Sequence, residues 1–179
     1  MQSCVIKESR IACYLFSNPK ISWFWFIVRI YVGWQWLEAG WGKLGVSVWT
    51  GDQAGSALTG FLQGAFQKTV GAHPDVQSWY AVFLENIILP NASFWSYLIT
   101  YGEIIVGIAL ILGIFTGLAA FLGIFMNFNF LLAGTVSINP ILFVLGFLLV
   151  MAWRVAGYIG LDYYILPWIS NFSFKRKII

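Results

Sequence analysis

Residues 22–44 read SWFWFIVRIYVGWQWLEAGWGKL, and this stretch decides the architecture. It is long enough to cross a bilayer, which takes about 20 mostly apolar residues. It nevertheless carries Arg29, Glu38 and Lys43. An ionisable side chain at mid-bilayer costs about 2.5–3.5 kcal/mol or more, so each must be paired or line a polar cavity. At about 100° per residue, Arg29, Gly33, Trp36, Gly40 and Lys43 fall on one stripe. Tyr31, Trp34, Gln35, Glu38 and Trp41 fall on the opposite half. Charge on both halves leaves little surface for lipid, which predicts a central helix wrapped by its neighbours.

The rest of the chain has the same character. Of 179 residues, 60% are hydrophobic, 19% aromatic and only 9% charged. Soluble surfaces carry about 25–35% charged residues, so a soluble enzyme, a nucleic-acid binder and a disordered chain are excluded. Three further stretches are long and apolar enough to span, at about 94–114, 118–138 and 140–161. The fold expected is an all-α integral membrane protein, a four-transmembrane-helix bundle forming a single membrane domain over residues 1–179.

Basic residues set the orientation. Lys7, Arg10 and Lys20 precede the first span, and Lys175, Arg176 and Lys177 follow the last. The loop at about 46–93 has Lys68 against Asp52, Asp75 and Glu85. Both tails, 1–21 and 162–179, are therefore expected in the cytoplasm of a prokaryotic cell, with the chain multi-pass in the plasma membrane. The long loop is expected outside. Ala57, Leu58, Phe61, Leu62, Ala65 and Phe66 recur at helical spacing, as do Trp79, Tyr80, Phe83, Leu84, Ile87 and Ile88. These predict short amphipathic helices in the extracytoplasmic loop, either anchored in the interface or closing over a site. The first apolar run lacks the small-residue site of a cleavable signal. Cys4 and Cys13, in the cytoplasmic tail, are expected reduced.

Depth groups the buried charges. Glu38, Lys43 and Glu103 share the outer half; Arg29, Arg154 and Asp162 share the inner half. Each group mixes signs, as burial requires. Ser96, Thr100, Glu103 and Gly107 line one face of the second span, where small residues let helices approach closely. Asn127 and Asn129 are read as helix-packing residues. His73 lies in the loop beside Pro74, where solvation is the ordinary state. The spans have no paired histidines for haem, and the chain has no Cys/His metal cluster and no glycine-rich phosphate loop. No metal site is expected.

In order along the chain, Arg29, Gly33, Gly40, Lys43 and Leu44 resemble the opening signature of the DoxX/DoxD family of small membrane proteins. Gly102, Glu103, Gly107 and Gly113 look like its second-span motif. Asn127-Phe128-Asn129-Phe130 with the following Leu-Leu-Ala-Gly-Thr, and Gly157, Gly160, Asp162 and Tyr163, look like the third and fourth. The resemblance runs from about Ile27 to Pro167. It implies a link to the membrane subunit of a thiosulfate:quinone oxidoreductase, which joins two thiosulfates into tetrathionate and reduces quinone. A second subunit belongs to that enzyme.

On that reading, Glu38 and Glu103 are proton-relay candidates, and Lys43 is the cation for a small anion, with Lys68 or His73 assisting. Tyr31, Trp34 and Trp41 would wall the quinone ring, and Arg29, Arg154 and Asp162 would be a structural charge cluster. The alternative is a non-catalytic anchor or assembly partner for redox or stress-response proteins. Both readings allow a homo-oligomer in the lipid bilayer and give no role to nucleic acid. Solute transport is disfavoured, since four helices leave little room for a pathway.

Overall fold

The computed structural model describes residues 9–175, with side chains through residue 169. Cys4, Lys7, Arg176 and Lys177, and the side chain of Lys175, lie outside the described residues. Among the described residues there is no strand. Helices run in the order α1 (Arg10–Ser17), α2 (Ser22–Trp41), α3 (Ser47–Thr50), α4 (Ser56–Gln67), α5 (Ser78–Phe83), α6 (Ala92–Leu112), α7 (Thr116–Leu132), α8 (Asn139–Met151), α9 (Trp153–Ala156) and α10 (Asp162–Lys175).

α5 and α6 are not separate. A π-helical turn (Leu84–Ile88) and a 3-10 turn (Leu89–Asn91) join them into one helix, Ser78–Leu112, of 35 residues. The sequence places a break at Pro90-Asn91. Pro90 falls at the first positions of the 3-10 turn, directly after the π-helical turn, where the regular i→i−4 ladder is already interrupted. By length and composition this helix can cross a membrane, and α7 and α8 are shorter apolar helices. The stretch 140–161 is broken. α8 ends at Met151, α9 is a single turn, and the chain bends through Gly157–Gly160 before α10 starts.

Two cores hold the fold. The larger gathers Trp25, Val32, Trp36, Leu110, Ala120 and Leu149 from α2, α6, α7 and α8. The second, with Leu58, Leu62, Val76, Tyr80 and Leu84, packs α4 and α5 into a cap over the end of α7 at Ala133. Two polar ties reinforce the cap: Lys68 Nζ donates to the Gly134 carbonyl (2.6 Å) and the Tyr80 hydroxyl to the Asn129 carbonyl (3.0 Å). Elsewhere α6, α7 and α8 turn apolar faces outward, including Ile105, Leu118, Phe125, Ile141 and Phe147. Apolar surface on that scale is foreign to a water-soluble monomer.

α2 packs along α6 and touches α8 and α9 on one side only. Its other face is open: Trp23, Ile27, Tyr31, Trp34 and Trp41 are all exposed. The expectation of a helix wrapped on every side is therefore corrected. Arg29 and Lys43 turn inward, Glu38 on the opposite half is exposed at a cavity and not enclosed, and Trp and Tyr cover the rest of that face.

Glycine sets the α2–α6 distance. A Cβ at Gly107 would stand 2.8 Å from the Leu37 Cα, and one at Gly40 would stand 2.9 Å from the Thr100 carbonyl oxygen. Backbone cannot yield as a side chain can. Gly107→Ala gains about 1 kcal/mol of helix propensity. Overpacking outweighs that, so the expected net loss is about 1–3 kcal/mol. Thermal unfolding in detergent checks it, and a stability equal to wild type would mean the helices are not in contact there.

Candidate functional site

The close approach at Gly40 and Gly107 brings Lys43, one turn past Gly40, beside Glu103, one turn before Gly107. Lys43 Nζ donates to both carboxylate oxygens of Glu103, at 2.6 and 2.5 Å. Glu103 is only 1% exposed, whereas the Lys43 side chain keeps 20%. A buried carboxylate without a cation would be costly, and Lys43 supplies that cation.

The turn after α2 positions the lysine. Gly45 takes a left-handed backbone (φ 76°), a conformation open to glycine at little cost. Its N–H donates to Thr50 Oγ1 (2.8 Å), and that hydroxyl donates to the Lys43 carbonyl (3.3 Å). α3 is tied down in turn: Ser96 Oγ donates to the Trp49 carbonyl (2.7 Å) and the Tyr97 hydroxyl to the Thr50 carbonyl (3.1 Å). The result sets the Trp49 ring against the Lys43 ammonium, 5.1 Å from centroid to nitrogen. Such cation–π contacts contribute about 0.5–2 kcal/mol.

The pair opens into a cavity of about 540 Å³ between α2, α4, α6, α7 and α8. Its polar groups are Glu103, Lys43, Glu38 and Gln35, faced by Thr135 and Asn139. Trp36, Trp49, Phe61 and Phe130 form its aromatic walls. Trp36 stacks on Phe130 at 6.4 Å, and Phe61 meets the same ring edge-on at 6.4 Å.

The structure thus brings Glu38, Lys43 and Glu103 together around one space. Tyr31, Trp34 and Trp41 do not line it; they are 41%, 57% and 66% exposed on the far face of α2. Lys68 is occupied at Gly134 and His73 is exposed, and neither reaches the cavity. Sequence reasoning passed over Trp49, Phe61 and Phe130 as wall residues. Trp36 carried a signal, since it shares the stripe of Gly33, Gly40 and Lys43.

The inner charges resolve differently. Asp162 accepts from the N–H groups of Phe115 (2.6 Å) and Thr116 (2.8 Å), capping α7. Its own N–H donates to the Gly113 carbonyl (2.7 Å). Arg29, 1% exposed, lies against Gly113 and Gly160, where a Cβ on either would collide with its guanidinium. Nη2 donates to the Ile159 carbonyl (2.6 Å). Arg154 does not join them; it is exposed, its guanidinium 4.9 Å from the Trp153 ring centroid. The bend at Gly157–Gly160 carries Asp162 toward α7 and leaves Arg154 outside. Asp162→Asn keeps one acceptor and loses the charge at a helix N-terminus, so a loss of about 1–2 kcal/mol is expected. Arg154→Gln should shift stability by less than about 0.5 kcal/mol. Equal effects of the two on the unfolding midpoint would contradict the separation.

Among the described residues no group of His, Cys, Asp or Glu could hold a metal ion. Among the described residues, an all-helical fold with an apolar exterior and one helix of membrane-crossing length has the marks of a helical membrane protein. The family can be named as well. A family model described as DoxX matches residues 24–135, and the chain belongs to the DoxX family. No curated protein and no solved structure matches it.

Proposed function

We propose that this chain is the quinone-reacting membrane subunit of an oxidoreductase that draws electrons from a small reduced anion such as thiosulfate. In this reading α2, α6, α7 and the α8–α9 pair cross the plasma membrane of a prokaryotic cell. Both termini lie in the cytoplasm, and the α4–α5 cap lies outside.

The observation that carries the proposal is the Lys43–Glu103 pair at the wall of a cavity of about 540 Å³ walled by aromatic rings. A flat neutral ring suits such walls, and a ring carbonyl can accept a hydrogen bond from Lys43. Reduction of quinone to quinol takes two electrons and two protons. In this reading Glu38, exposed on the same cavity, brings protons from outside, and Glu103 takes them up and passes them to the ring.

The anion belongs elsewhere. One cation faces two carboxylates in the cavity, a balance that repels a dianion. Coupling of two thiosulfates to tetrathionate releases the two electrons, and we assign that half-reaction to a second subunit.

The test is quinone extraction from the purified chain, followed by binding of added quinone and by thiosulfate-driven quinone reduction once the second subunit is supplied. Co-purified quinone and saturable binding are expected. A chain that arrives free of quinone and binds none would leave the anchoring role in its place.

A further inference from the structure

We infer that a second, apolar cavity takes the isoprenoid tail of the molecule whose ring occupies the first, and that the two spaces form one bent site. The inference rests on the quinone reading above and assigns a part of the ligand which that reading leaves unplaced. The second cavity, of about 190 Å³, lies between the cap and the helices α6 and α7. It shares a wall with the larger one, because Leu58, Phe61, Ile99 and Phe130 line both.

Its chemistry fits a hydrocarbon chain. The remaining lining is apolar, with Leu62, Leu84, Met126 and Ala133 in its depth. Apart from the Trp95 indole, its polar side chains are Tyr80 and Asn129, and these bond to each other and to the backbone. The Tyr80 hydroxyl donates to Asn129, and Asn129 Nδ2 donates to the Phe125 carbonyl at 2.7 Å. A polar ligand would find few partners there, whereas an apolar chain gives up no hydrogen bond by entering.

The exit fits as well. Leu98 and Phe125, which line the cavity, are 49% and 60% exposed on the apolar outside of α6 and α7. A chain running from the ring past Phe61 and Phe130 would leave between these residues toward the surrounding lipid. The ring would remain beside Glu103.

The experiment compares two benzoquinones carrying the same ring, one with a decyl chain and one without, bound to the purified full-length chain in detergent. Wild type is expected to prefer the decyl compound by about tenfold or more, the scale on which a fitted pocket separates ligands that differ by methylenes. Ala133→Leu fills the slot from inside, and Leu98→Trp narrows its exit from an exposed position. Both should abolish the preference and leave the tailless quinone unchanged. If Ala133→Leu does not fold, Leu98→Trp decides.

A preference that survives in a folded variant overturns the inference, and so does an equal loss for both quinones. A tailless ring that fails to bind wild type, beside a decyl compound that binds and is weakened by both variants, keeps the chain slot and removes the ring reading. Failure of both compounds on wild type removes both.

Discussion

Glu103→Gln is expected to abolish substrate-driven quinone reduction, by about 10²–10⁴-fold, while leaving the protein folded. That range is what a positioned proton donor contributes. The substitution suits the question because the amide oxygen still accepts from Lys43 Nζ, so the contact now spanning 2.6 Å keeps a partner. What it removes is the capacity to take up a proton and pass it on. The readouts are quinol formation with the second subunit present and quinone affinity measured separately. Lost turnover with retained affinity is the expected signature. Undiminished reduction would take Glu103 out of the chemistry and leave it a structural carboxylate.

The second large effect is on stability. Lys43→Met leaves a carboxylate that is 1% exposed without its counter-ion, and breaking such a pair from one side costs about 3–5 kcal/mol. Part of the loss also comes from the Trp49 ring, which no longer faces a cation. Adding Glu103→Gln to Lys43→Met removes the stranded charge. The double variant should therefore be more stable than Lys43→Met alone, and the two changes should be strongly non-additive. Unfolding curves of the four proteins in one detergent measure this. A loss below about 1 kcal/mol for Lys43→Met would put the pair in the class of solvent-screened surface bridges.

The charges of this chain were more legible in the sequence than its aromatic rings. Depth grouped Lys43 with Glu38 and Glu103, because helical rise converts residue number into height, but it left open which carboxylate Lys43 takes. Gly40 and Gly107 were legible for a related reason, since small residues mark where helices approach. Tyr31, Trp34 and Trp41 were not. In water an aromatic stripe points inward, but in a bilayer both faces of a helix are apolar and composition no longer tells inside from outside. Trp36 packs within while Trp34, two residues away, faces out. The inner cluster failed at Arg154 because its grouping assumed one straight fourth helix, and the bend at Gly157–Gly160 separates Arg154 from Asp162. The joined α5–α6 helix was hidden by Pro90-Asn91, a pair that reads as a turn unless the preceding turn changes its hydrogen-bond register.

That joined helix also sets a distance. At 1.5 Å per residue its 35 residues extend roughly 52 Å, well beyond the roughly 30 Å hydrocarbon layer. The cap is therefore mounted on the same rod that carries Glu103, about 38 Å along from Ser78. The α-helical ladder of this rod is interrupted only between the two, by the π-helical turn at Leu84–Ile88 and the 3-10 turn at Leu89–Asn91. The cap and the buried carboxylate are therefore spaced by one continuous helical backbone and not by a loop.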